Sequence, residues 1–321
     1  MDKKIVVAVL CVVALAAILA LQRPAQQEKA VIKAAYLPAV QSLPLFVAVD
    51  EGMFEKEGLK VELERIESPN QIIDALVSGK VDAGAPSVAA GITAIVDLKN
   101  PGSLKVYSLS CGTLNNLNDE LLVARESNIT SINDLRGKRL GHIPGVQFQT
   151  AARKILMANG VSPSEVTLME LPMSSQLPAL ASGGVDGVLT IEPTGTVGSQ
   201  NNVSRILIAN PMVRYIADPW CGGAGVVSGK FLKSRPKDAE AFVRVMRKAI
   251  IETEKNPSSK VYLVKYLNMP ESIAKETPLP LMVSTQNIEP RITQAYQTFA
   301  DVFYELNVTE ARPDVTRLLL D

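Results

Sequence analysis

The chain has 321 residues, of which 47% are hydrophobic and 21% charged, so it can bury one or two ordinary cores and is not a disordered protein. Lysine plus arginine equals aspartate plus glutamate at 33 each, which excludes the strong basic field typical of a nucleic-acid-binding protein. With one histidine and three scattered cysteines, the chain has too few nitrogen and sulfur ligands for a zinc or transition-metal cluster, and we predict no metal site.

The N-terminus has a short basic start, MDKK, followed by an unbroken apolar run from Ile5 to Leu21. This layout is typical of a secretory signal peptide, and the run is also just long enough to remain as a membrane anchor. A buried core helix is the remaining alternative. We predict a signal peptide or membrane anchor over residues 1–21, a polar tether over residues 22–30, and an exported remainder.

Residues 31–87 carry five predicted elements in the order strand, helix, strand, helix, strand. Strands are predicted in VIKAAYLP and VDAGAPS, each ending in a loop, and in LKVELERIES; helices are predicted in LFVAVDEGMFEKEG and PNQIIDALVSG. The first helix pattern ends at Gly58, which predicts a glycine cap, and the second opens with Pro69 in its first turn. Alternating apolar positions in LKVELERIES indicate a strand.

The same order of elements returns later in the chain, in GKRLGHIPG, FQTAARKILMANG, VTLMELPMSSQLPALASG and VDGVLTIEP. Gly160 then matches Gly58, and Asp186 matches Asp82, at nearly the same spacing. Two such units predict two α/β lobes whose parallel strands are joined by right-handed crossovers. We expect the two aspartates, at strand starts, to cap backbone amides and to take no part in catalysis.

Two segments are predicted to connect the lobes. KVYSLSCGTLNNLNDELLVARES predicts the first crossing, and VSRILIANPMVRYIADPWCGGAGVVSG predicts the return. Beyond the return, DAEAFVRVMRKAIIETEKN has apolar residues at helical spacing and predicts an amphipathic helix. Parallel sheets bind ligands beyond the carboxyl ends of their strands, beside helix N-termini with free amides, so we place the ligand site there.

Four runs of the sequence resemble a known family: SLPLFVAVDEGMFEKEGLKVEL, IIDALVSGKVDAGAPS, NDLRGKRLGHIPG and LASGGVDGVLTIEP. They are similar to the substrate-binding proteins of ABC importers in the nitrate, sulfonate and taurine group, which includes binders and synthases of thiamine pyrimidine precursors. The resemblance implies an α/β, type II periplasmic-binding-protein fold with two lobes, each a mainly parallel sheet flanked by helices, and two hinge crossings. Lobe 1 is then expected over 31–120 and 223–321, the latter holding the return segment and C-terminal helices, and lobe 2 over 121–222.

The resemblance also implies a function. Such a protein lies outside the cytoplasm, in the periplasm or on the outer face of the cell membrane. It captures a small organic anion or zwitterion, of the sulfonate, taurine or nitrate type, and delivers it to an ABC permease with its ATPase. We expect a monomer with no cofactor, no catalytic residue and no nucleic-acid partner. A binder or synthase of a thiamine pyrimidine precursor, or a ligand-sensing domain with a membrane partner, is the alternative.

Transferred position by position, the resemblance places ligand-binding residues in the loops at the cleft. These residues are Gln41, Ser42, Pro86, Ser87, Gly145, Val146, Gln147, Thr190 and Glu192. Their hydroxyl, amide and backbone groups suit a small oxygen-rich head group. Each serine or glutamine could instead cap a helix or lie in a solvated loop.

Glu192 has two interpretations, because a carboxylate in a cleft repels an anion and attracts an amine or a ring nitrogen. The second interpretation, which we favour, is a structural carboxylate that accepts backbone hydrogen bonds. The predicted cleft loops carry no arginine or lysine, which bidentate capture of a phosphate or dicarboxylate would need. This argues against a phosphonate as the ligand. The remaining classes of ligand are monoanions, zwitterions and neutral heterocycles.

Cys111 and Cys221 both lie near the predicted crossings, each is followed by glycine, and an exported compartment permits disulfides. A bridge between the two hinge segments is one alternative, and two buried thiols are another. A third places them in the cleft near Trp220, the one tryptophan, which could stack on a planar ligand or belong to the core.

Nucleophilic catalysis would need a base beside serine or cysteine, and His142 is the one histidine. It lies at the end of a predicted strand, where it could contact a ligand or act as a cap. The synthases in the resembled group are cytoplasmic and rely on a cysteine-rich segment and histidines that this sequence lacks. We therefore expect solute capture and not an enzyme.

Overall fold

The structure, a computed structural model, describes residues 30–286 and 288–320. The residues from Ile32 onward form a compact unit of their own, and this unit is described below. The predicted signal peptide or anchor at 1–21, with Cys11, and the predicted tether up to residue 29 lie outside the described residues. Within the described part, no helix is both long enough and apolar enough to span a bilayer.

The unit consists of eleven strands and thirteen α-helices within the described residues. The strands are β1 (Ile32–Tyr36), β2 (Val61–Arg65), β3 (Ala83–Ala89), β4 (Leu104–Gly112), β5 (Asp119–Ala124), β6 (Arg139–His142), β7 (Thr167–Glu170), β8 (Gly187–Ile191), β9 (Ser204–Ala209), β10 (Trp220–Ser228) and β11 (Leu281–Ser284). The helices are α1 (Leu43–Asp50), α2 (Met53–Lys56), α3 (Pro69–Ser78), α4 (Ala90–Lys99), α5 (Val146–Ala158), α6 (Met173–Ala181), α7 (Thr194–Gln200), α8 (Pro211–Tyr215), α9 (Gly229–Ser234), α10 (Pro236–Lys255), α11 (Val261–Leu267), α12 (Glu271–Glu276) and α13 (Pro290–Glu305). Short 3₁₀ turns occur at Val40–Ser42, Ile132–Leu135, Pro163–Glu165, Pro257–Lys260 and Val315–Leu318.

The strands form two sheets, one in each lobe. The lobe 1 sheet has the order β11-β4-β10-β3-β1-β2, and the lobe 2 sheet has the order β7-β6-β8-β5-β9. In lobe 1, β1 pairs in parallel with β2 and β3; in lobe 2, β6 pairs in parallel with β7 and β8. The predicted repeat is therefore confirmed as two parallel three-stranded units of the same order.

The matched aspartates cap backbone amides at equivalent places. The carboxylate of Asp82 accepts a hydrogen bond of 3.0 Å from the Lys33 backbone N–H, and that of Asp186 accepts one of 2.8 Å from the Arg139 N–H. Each bond fixes the start of a parallel strand beside its neighbour. This accounts for an aspartate at the same place in both copies.

An antiparallel strand completes each repeat and carries the chain between lobes. In lobe 1, β10 pairs antiparallel with β3, and in lobe 2, β5 pairs antiparallel with β8. The chain leaves lobe 1 after β4, enters β5 through residues 113–118, and returns to β10 through residues 210–219. The two-lobed architecture with two crossings agrees with the fold that the resemblance implies.

Some local expectations were wrong. Thr190 was expected in a loop but lies in β8, and Val146 and Gln147 were expected in a loop but lie in the first turn of α5. The helix predicted over LFVAVDEGMFEKEG is divided into α1 and α2, because Gly52 adopts φ +63°, a left-handed conformation that interrupts an α-helix. Pro86 and Ser87 were expected in a loop, but β3 continues to Ala89 and leads directly into α4. Pairing of Ala89 with Gly223 of β10 keeps this segment extended.

The C-terminal helices pack on lobe 1. The apolar face of α10 is buried, and Phe242 stacks on Phe54 of α2 with ring centroids 5.2 Å apart, which confirms the predicted amphipathic helix. Helix α13 covers α4 and β10, where Tyr296 donates a hydrogen bond of 2.8 Å to the Ala90 carbonyl. The core beneath α13 continues into lobe 2 through Phe148 of α5.

Candidate functional site

The predicted site residues of lobe 1 form a buried hydroxyl network at the carboxyl ends of β1 and β3. The Ser42 Oγ lies 2.7 Å from the Leu37 carbonyl oxygen and 2.8 Å from the Ser87 Oγ. The Ser87 Oγ also accepts a 3.1 Å hydrogen bond from the Leu37 N–H. Because Ser42 has one hydroxyl proton, it donates to Leu37 and accepts from Ser87. Pro86 is buried in β3 beside Ser87.

Gln147 links the two lobes. Its side-chain oxygen accepts a 2.8 Å hydrogen bond from the Gly91 N–H in the first turn of α4, and its Nε2 donates 2.9 Å to the Gly222 carbonyl in β10. The side chain is 2% exposed. Gln147 of α5 therefore hydrogen-bonds both to an amide donor of a lobe 1 helix and to a carbonyl acceptor on a hinge strand.

The loop before Gln147 has the backbone that this contact needs. Gly145 has φ +112°, which side-chain-bearing residues rarely adopt, and its N–H donates 2.9 Å to the Glu170 carboxylate. A Cβ at Gly145 would lie 2.7 Å from the Asn70 Oδ1, at the start of lobe 1 helix α3. Val146, half-buried, begins α5. The glycine thus permits a close approach of the two lobes.

Several buried polar atoms around the hinge have no hydrogen-bond partner among the described residues. The Gln41 Nε2 donates 2.8 Å to Asn118 on the first crossing, but its Oε1 is unpaired. The indole N–H of Trp220 and the hydroxyl of Ser110 are also unpaired. Trp220 lies opposite Gly112, where an added Cβ would be 3.1 Å from the Asn118 Cβ. These groups surround the crossings and can accept or donate hydrogen bonds.

Thr190 and Glu192 lie at the carboxyl end of β8 and are fully buried. The Thr190 hydroxyl donates 2.6 Å to the Gln176 Oε1, and Glu192 accepts from the Thr196 N–H at 3.2 Å and the Thr196 hydroxyl at 2.9 Å. Glu192 therefore caps the first turn of α7. Burial raises its pKa, although the hydrogen bonds from Thr196 oppose the shift.

Two further acids lie beside Glu192 on β5, and sequence analysis did not identify them. Burial, and secondarily the neighbouring Glu192 carboxylate, raises the pKa of Glu120 well above its ordinary value. Burial raises the pKa of Asp119 to about 7, against a 2.8 Å hydrogen bond from the Met212 N–H. Asp119 and Glu120 belong to a strand sequence. They lie near Glu192 only because β5 pairs antiparallel with β8.

The structure joins Cys111 and Cys221 by a disulfide and leaves neither as a thiol. The two residues lie directly opposite each other on β4 and β10, and both are fully buried. Trp220 packs edge-on against Phe299 of α13, with ring centroids 5.3 Å apart, and is 2% exposed. Its ring thus belongs to the core beside the hinge, while its unpaired N–H is the group left for hydrogen bonding.

His142 is 1% exposed, and its Nδ1 lies 2.8 Å from the Ile143 carbonyl oxygen. Burial lowers its pKa, so the ring is neutral near pH 7 and its Nδ1–H donates to that carbonyl. The orientation of the His142 ring is therefore fixed by a hydrogen bond to the backbone of the next residue. Among the described residues, no group of three or more histidine, cysteine, aspartate or glutamate side chains is placed to hold a metal ion.

A cationic side chain that sequence analysis missed lies at the cleft. Arg65, the last residue of β2, lines a pocket of about 260 Å³ between the lobes, together with Ser174, Pro193 and Thr194 of lobe 2. It pairs with Glu67 at 3.0 Å, and Glu67 accepts a 2.7 Å hydrogen bond from the Ser174 hydroxyl of the other lobe. Arg65 was not predicted because it lies within a strand and not in a loop, although a residue at the carboxyl end of a strand also faces the cleft.

The sequence of this chain is similar to the sequences of known proteins. A sequence profile of the family described as NMT1/THI5 like matches residues 39–260. The chain is 25% identical over 231 residues to the 4-amino-5-hydroxymethyl-2-methylpyrimidine phosphate synthase of Schizosaccharomyces pombe, covering 67% of this chain and 62% of that protein. It is 26% identical over 289 residues to the putative aliphatic sulfonates-binding protein of Bacillus subtilis, covering 86% of this chain and 82% of that protein.

The fold is similar to that of a solved binding protein. The alkanesulfonate-binding protein SsuA from Xanthomonas axonopodis pv. citri, bound to MOPS, superposes with a TM-score of 0.74 at 18% identity, covering 91% of this chain and 99% of that one. At this identity the likeness establishes the fold alone.

Proposed function

The chain belongs to the NMT1/THI5-like family, and from this premise we propose that it is an extracytoplasmic solute-binding protein that closes its lobes on a small organic anion or zwitterion. The observation that carries the proposal is the position of Gln147, which reaches from lobe 2 to a helix amide and a hinge carbonyl of lobe 1. A side chain that contacts both lobes and the hinge is placed to couple solute binding to closure.

The groups around Gln147 suit an oxygen-rich anion. The Gly91 N–H lies in the first turn of a ten-residue helix, where an amide and the helix dipole favour negative charge. A sulfonate bound beside Gln147 would lie in the same favourable field at the N-terminus of this helix. The unpaired N–H of Trp220 adds a neutral donor near the hinge.

Closure is supported by two polar contacts that cross between the lobes. Lys154 of α5 pairs with Glu305 of α13 at 2.6 Å, and Ser174 of α6 donates to Glu67 at 2.7 Å. Each is partly exposed and individually weak. A solute that contacts both lobes would stabilise this closed state relative to an open one.

Location and partners follow from the same proposal. The hinge disulfide supports an oxidising compartment, because structural disulfides are rare in the cytosol. The Bacillus subtilis relative, named as a binding protein for aliphatic sulfonates, supports a sulfonate-type solute. We propose delivery to an ABC permease with its ATPase, by a protein that acts as a monomer.

A second candidate is capture or synthesis of a thiamine pyrimidine precursor. The similarity to the Schizosaccharomyces pombe synthase favours it, as does the buried Glu120–Glu192 pair, because a carboxyl pair can bind an aminopyrimidine ring nitrogen. The two candidates differ in the charge of the solute, since a sulfonate is an anion and the pyrimidine is not.

Thermal unfolding of the chain from residue 28 onward separates these candidates. Ethanesulfonate, taurine, nitrate and 4-amino-5-hydroxymethyl-2-methylpyrimidine are each added in excess. A ligand at a hundred times its Kd stabilises by about 2.7 kcal/mol, a shift of a few degrees. A shift with the anions supports the first candidate, a shift with the pyrimidine supports the second, and no shift with any of the four contradicts both.

A further inference from the structure

An open depression lies on lobe 1 between the C-terminal ends of α3 and α4, the turn before β4 and the short helix α9. Its volume is about 700 Å³. The ionisable side chains that line it are Lys99, Lys230 and Lys233, which we call the lysine patch, and no carboxylate is among the described residues of the lining. The patch thus concentrates positive charge on a chain whose formal net charge is zero.

The three lysines of the patch are exposed, and none forms an ion pair or a side-chain hydrogen bond with another described residue. Other lysines of lobe 1 differ in this respect. Lys248 pairs with Glu57 at 3.4 Å, and Lys265 pairs with Asp50 at 2.5 Å. The charges of the patch are therefore not neutralised by contacts within the protein, and they can attract an external anion.

The carboxylates close to the depression do not line it. The Asp97 carboxylate accepts a backbone hydrogen bond at 2.9 Å, and Asp82 forms an ion pair with Arg235 at 2.6 Å. Asp74 on α3 and Asp238 on α10 lie outside the lining. The field at the patch is therefore set by the lysines.

The rest of the lining combines a hydroxyl group with apolar surface. The Ser103 Oγ is buried and has no hydrogen-bond partner among the described residues. Val77 is 39% exposed. A Cβ added to Gly79 would lie 2.7 Å from the Lys230 Cδ, so this glycine leaves room for the stem of Lys230. Ammonium groups, a hydroxyl and an exposed apolar side chain together suit a phosphate that is attached to apolar chains.

The patch and the cleft lie at opposite ends of the lobe 1 sheet. The Ser228 N–H donates 2.9 Å to the Asp82 carbonyl immediately before β3 begins, and Gly229 then starts α9. From this end β3 runs toward the cleft and Ser87, and a strand of this length spans about 20 Å. A surface that binds the patch therefore leaves the cleft open to solvent.

The first strand begins at the same end of the sheet as the patch. The Lys33 N–H donates 3.0 Å to the carboxylate of Asp82, the residue whose carbonyl accepts from Ser228. The chain that precedes Ile32 is therefore joined to lobe 1 at this end. The predicted tether, residues 22–30, can span at most about 30 Å. A membrane anchor over residues 1–21 would then keep the patch within reach of a bilayer.

We propose that the lysine patch docks lobe 1 on a membrane surface that carries anionic phospholipid headgroups. The lipid phosphates accept hydrogen bonds from the lysine ammonium groups and the Ser103 hydroxyl, and Val77 contacts the apolar boundary of the headgroup layer. Docking directs the cleft away from the bilayer, where solute can enter. The proposal does not depend on which solute the cleft takes, so its failure would leave solute capture untouched.

Sedimentation with lipid vesicles tests the docking. The chain from residue 28 onward contains the whole compact unit and lacks the apolar run. Vesicles of phosphatidylcholine are compared with vesicles that contain about 30% phosphatidylglycerol, in about 20 mM KCl, where screening is weak. We expect at least ten-fold stronger partition onto the anionic vesicles, lost in about 0.5 M KCl, because each lysine near an anionic surface contributes about five-fold in affinity. Equal partition onto both vesicles, or none onto either, would overturn the proposal.

Two triple variants with the same change in net charge separate the patch from the overall charge. The patch variant combines Lys99→Gln, Lys230→Gln and Lys233→Gln. The control variant combines Lys138→Gln, Lys255→Gln and Arg291→Gln, three exposed cations that form no ion pair with another described residue. All six side chains are exposed, so both variants should fold as the wild type does. We expect the patch variant to lose at least ten-fold in partition and the control variant less than about three-fold. Equal losses would assign the binding to net charge and overturn the proposal.

Inorganic phosphate distinguishes a lipid surface from a soluble anion as the occupant. Phosphate at about 5 mM, compared with chloride of equal ionic strength, should leave the partition onto anionic vesicles unchanged, because one small ion competes with a surface that presents many headgroups. Displacement of the wild type by phosphate would assign the patch to a soluble phosphate and overturn membrane docking.

Discussion

The side-chain oxygen of Gln147 accepts a hydrogen bond from the Gly91 N–H across the two lobes, at 2.8 Å. The same side chain donates to the Gly222 carbonyl on β10 at 2.9 Å. An amide side chain is suited to this position because it presents an acceptor and a donor at once. Its loss would leave a buried N–H and a buried carbonyl without a partner.

We expect Gln147→Ala to weaken solute binding about ten-fold while the protein remains folded. A neutral hydrogen bond contributes about 1 kcal/mol, and leaving a buried partner unpaired costs about 1–3 kcal/mol. The measurement is calorimetric affinity for the solute that stabilises the wild type, with the thermal midpoint measured in parallel. Gln149→Ala, an exposed position on the same helix, is the control. Unchanged affinity in Gln147→Ala would mean that the solute binds elsewhere.

Removal of the hinge disulfide should destabilise the protein. Cys111 and Cys221 are separated by 110 residues, and closing a loop of this size restricts the unfolded chain strongly. The double variant Cys111→Ala, Cys221→Ala should lose about 2–5 kcal/mol of unfolding free energy in urea, as should the reduced wild type. If the reduced wild type and the oxidised wild type unfold at the same urea concentration, the bridge contributes nothing to stability.

Asp119 should make the protein less stable as pH rises. Its folded pKa is about 7, above the ordinary value of 3.8, so the folded state binds the proton more tightly than the unfolded state. This contribution is fully present below pH 3.8 and is lost as pH rises through 7. At most it changes unfolding free energy by about 1.4 kcal/mol per pH unit.

Asp119→Asn isolates this effect, because asparagine can still accept from the Met212 N–H but does not ionise. We expect the variant to gain stability relative to wild type between pH 5 and 7, measured as urea midpoints at each pH. The control variant Glu126→Gln changes an exposed side chain, and its urea midpoints should show the same pH dependence as those of wild type. A constant difference between Asp119→Asn and wild type would assign Asp119 an ordinary pKa.

The parts of this protein that the sequence could predict are those encoded by local pattern. Apolar periodicity and the matched Asp82 and Asp186 predicted the parallel repeat, because each strand and helix pattern can be recognised within a short stretch of the chain and recurs in the same order. Gly52 was missed as a helix break, since glycine also occurs within helices at modest cost. The Glu120–Glu192 pair was missed because β5 and β8 meet only through the sheet. Burial of the candidate site residues likewise depends on two distant lobes meeting.

Gly145 offers a test of whether lobe approach, and not only side-chain chemistry, sets solute affinity. Gly145→Ala would force a side chain onto φ +112° and place its Cβ 2.7 Å from the Asn70 Oδ1 of lobe 1. We expect affinity to fall at least ten-fold, because the strain and the clash both oppose closure.

Two further variants separate the causes of that loss. Adding Asn70→Ala to Gly145→Ala removes the clash and leaves the backbone strain, so affinity should recover in part, as a positive coupling in a double-mutant cycle. Gly183→Ala is the matched control for strain alone, because Gly183 has φ +71° and no neighbouring atom within 4 Å of an added Cβ. It should lower the thermal midpoint without changing affinity. Equal affinity losses for Gly145→Ala and Gly183→Ala would show that the effect comes from general destabilisation and that Gly145 has no special part in closing the lobes.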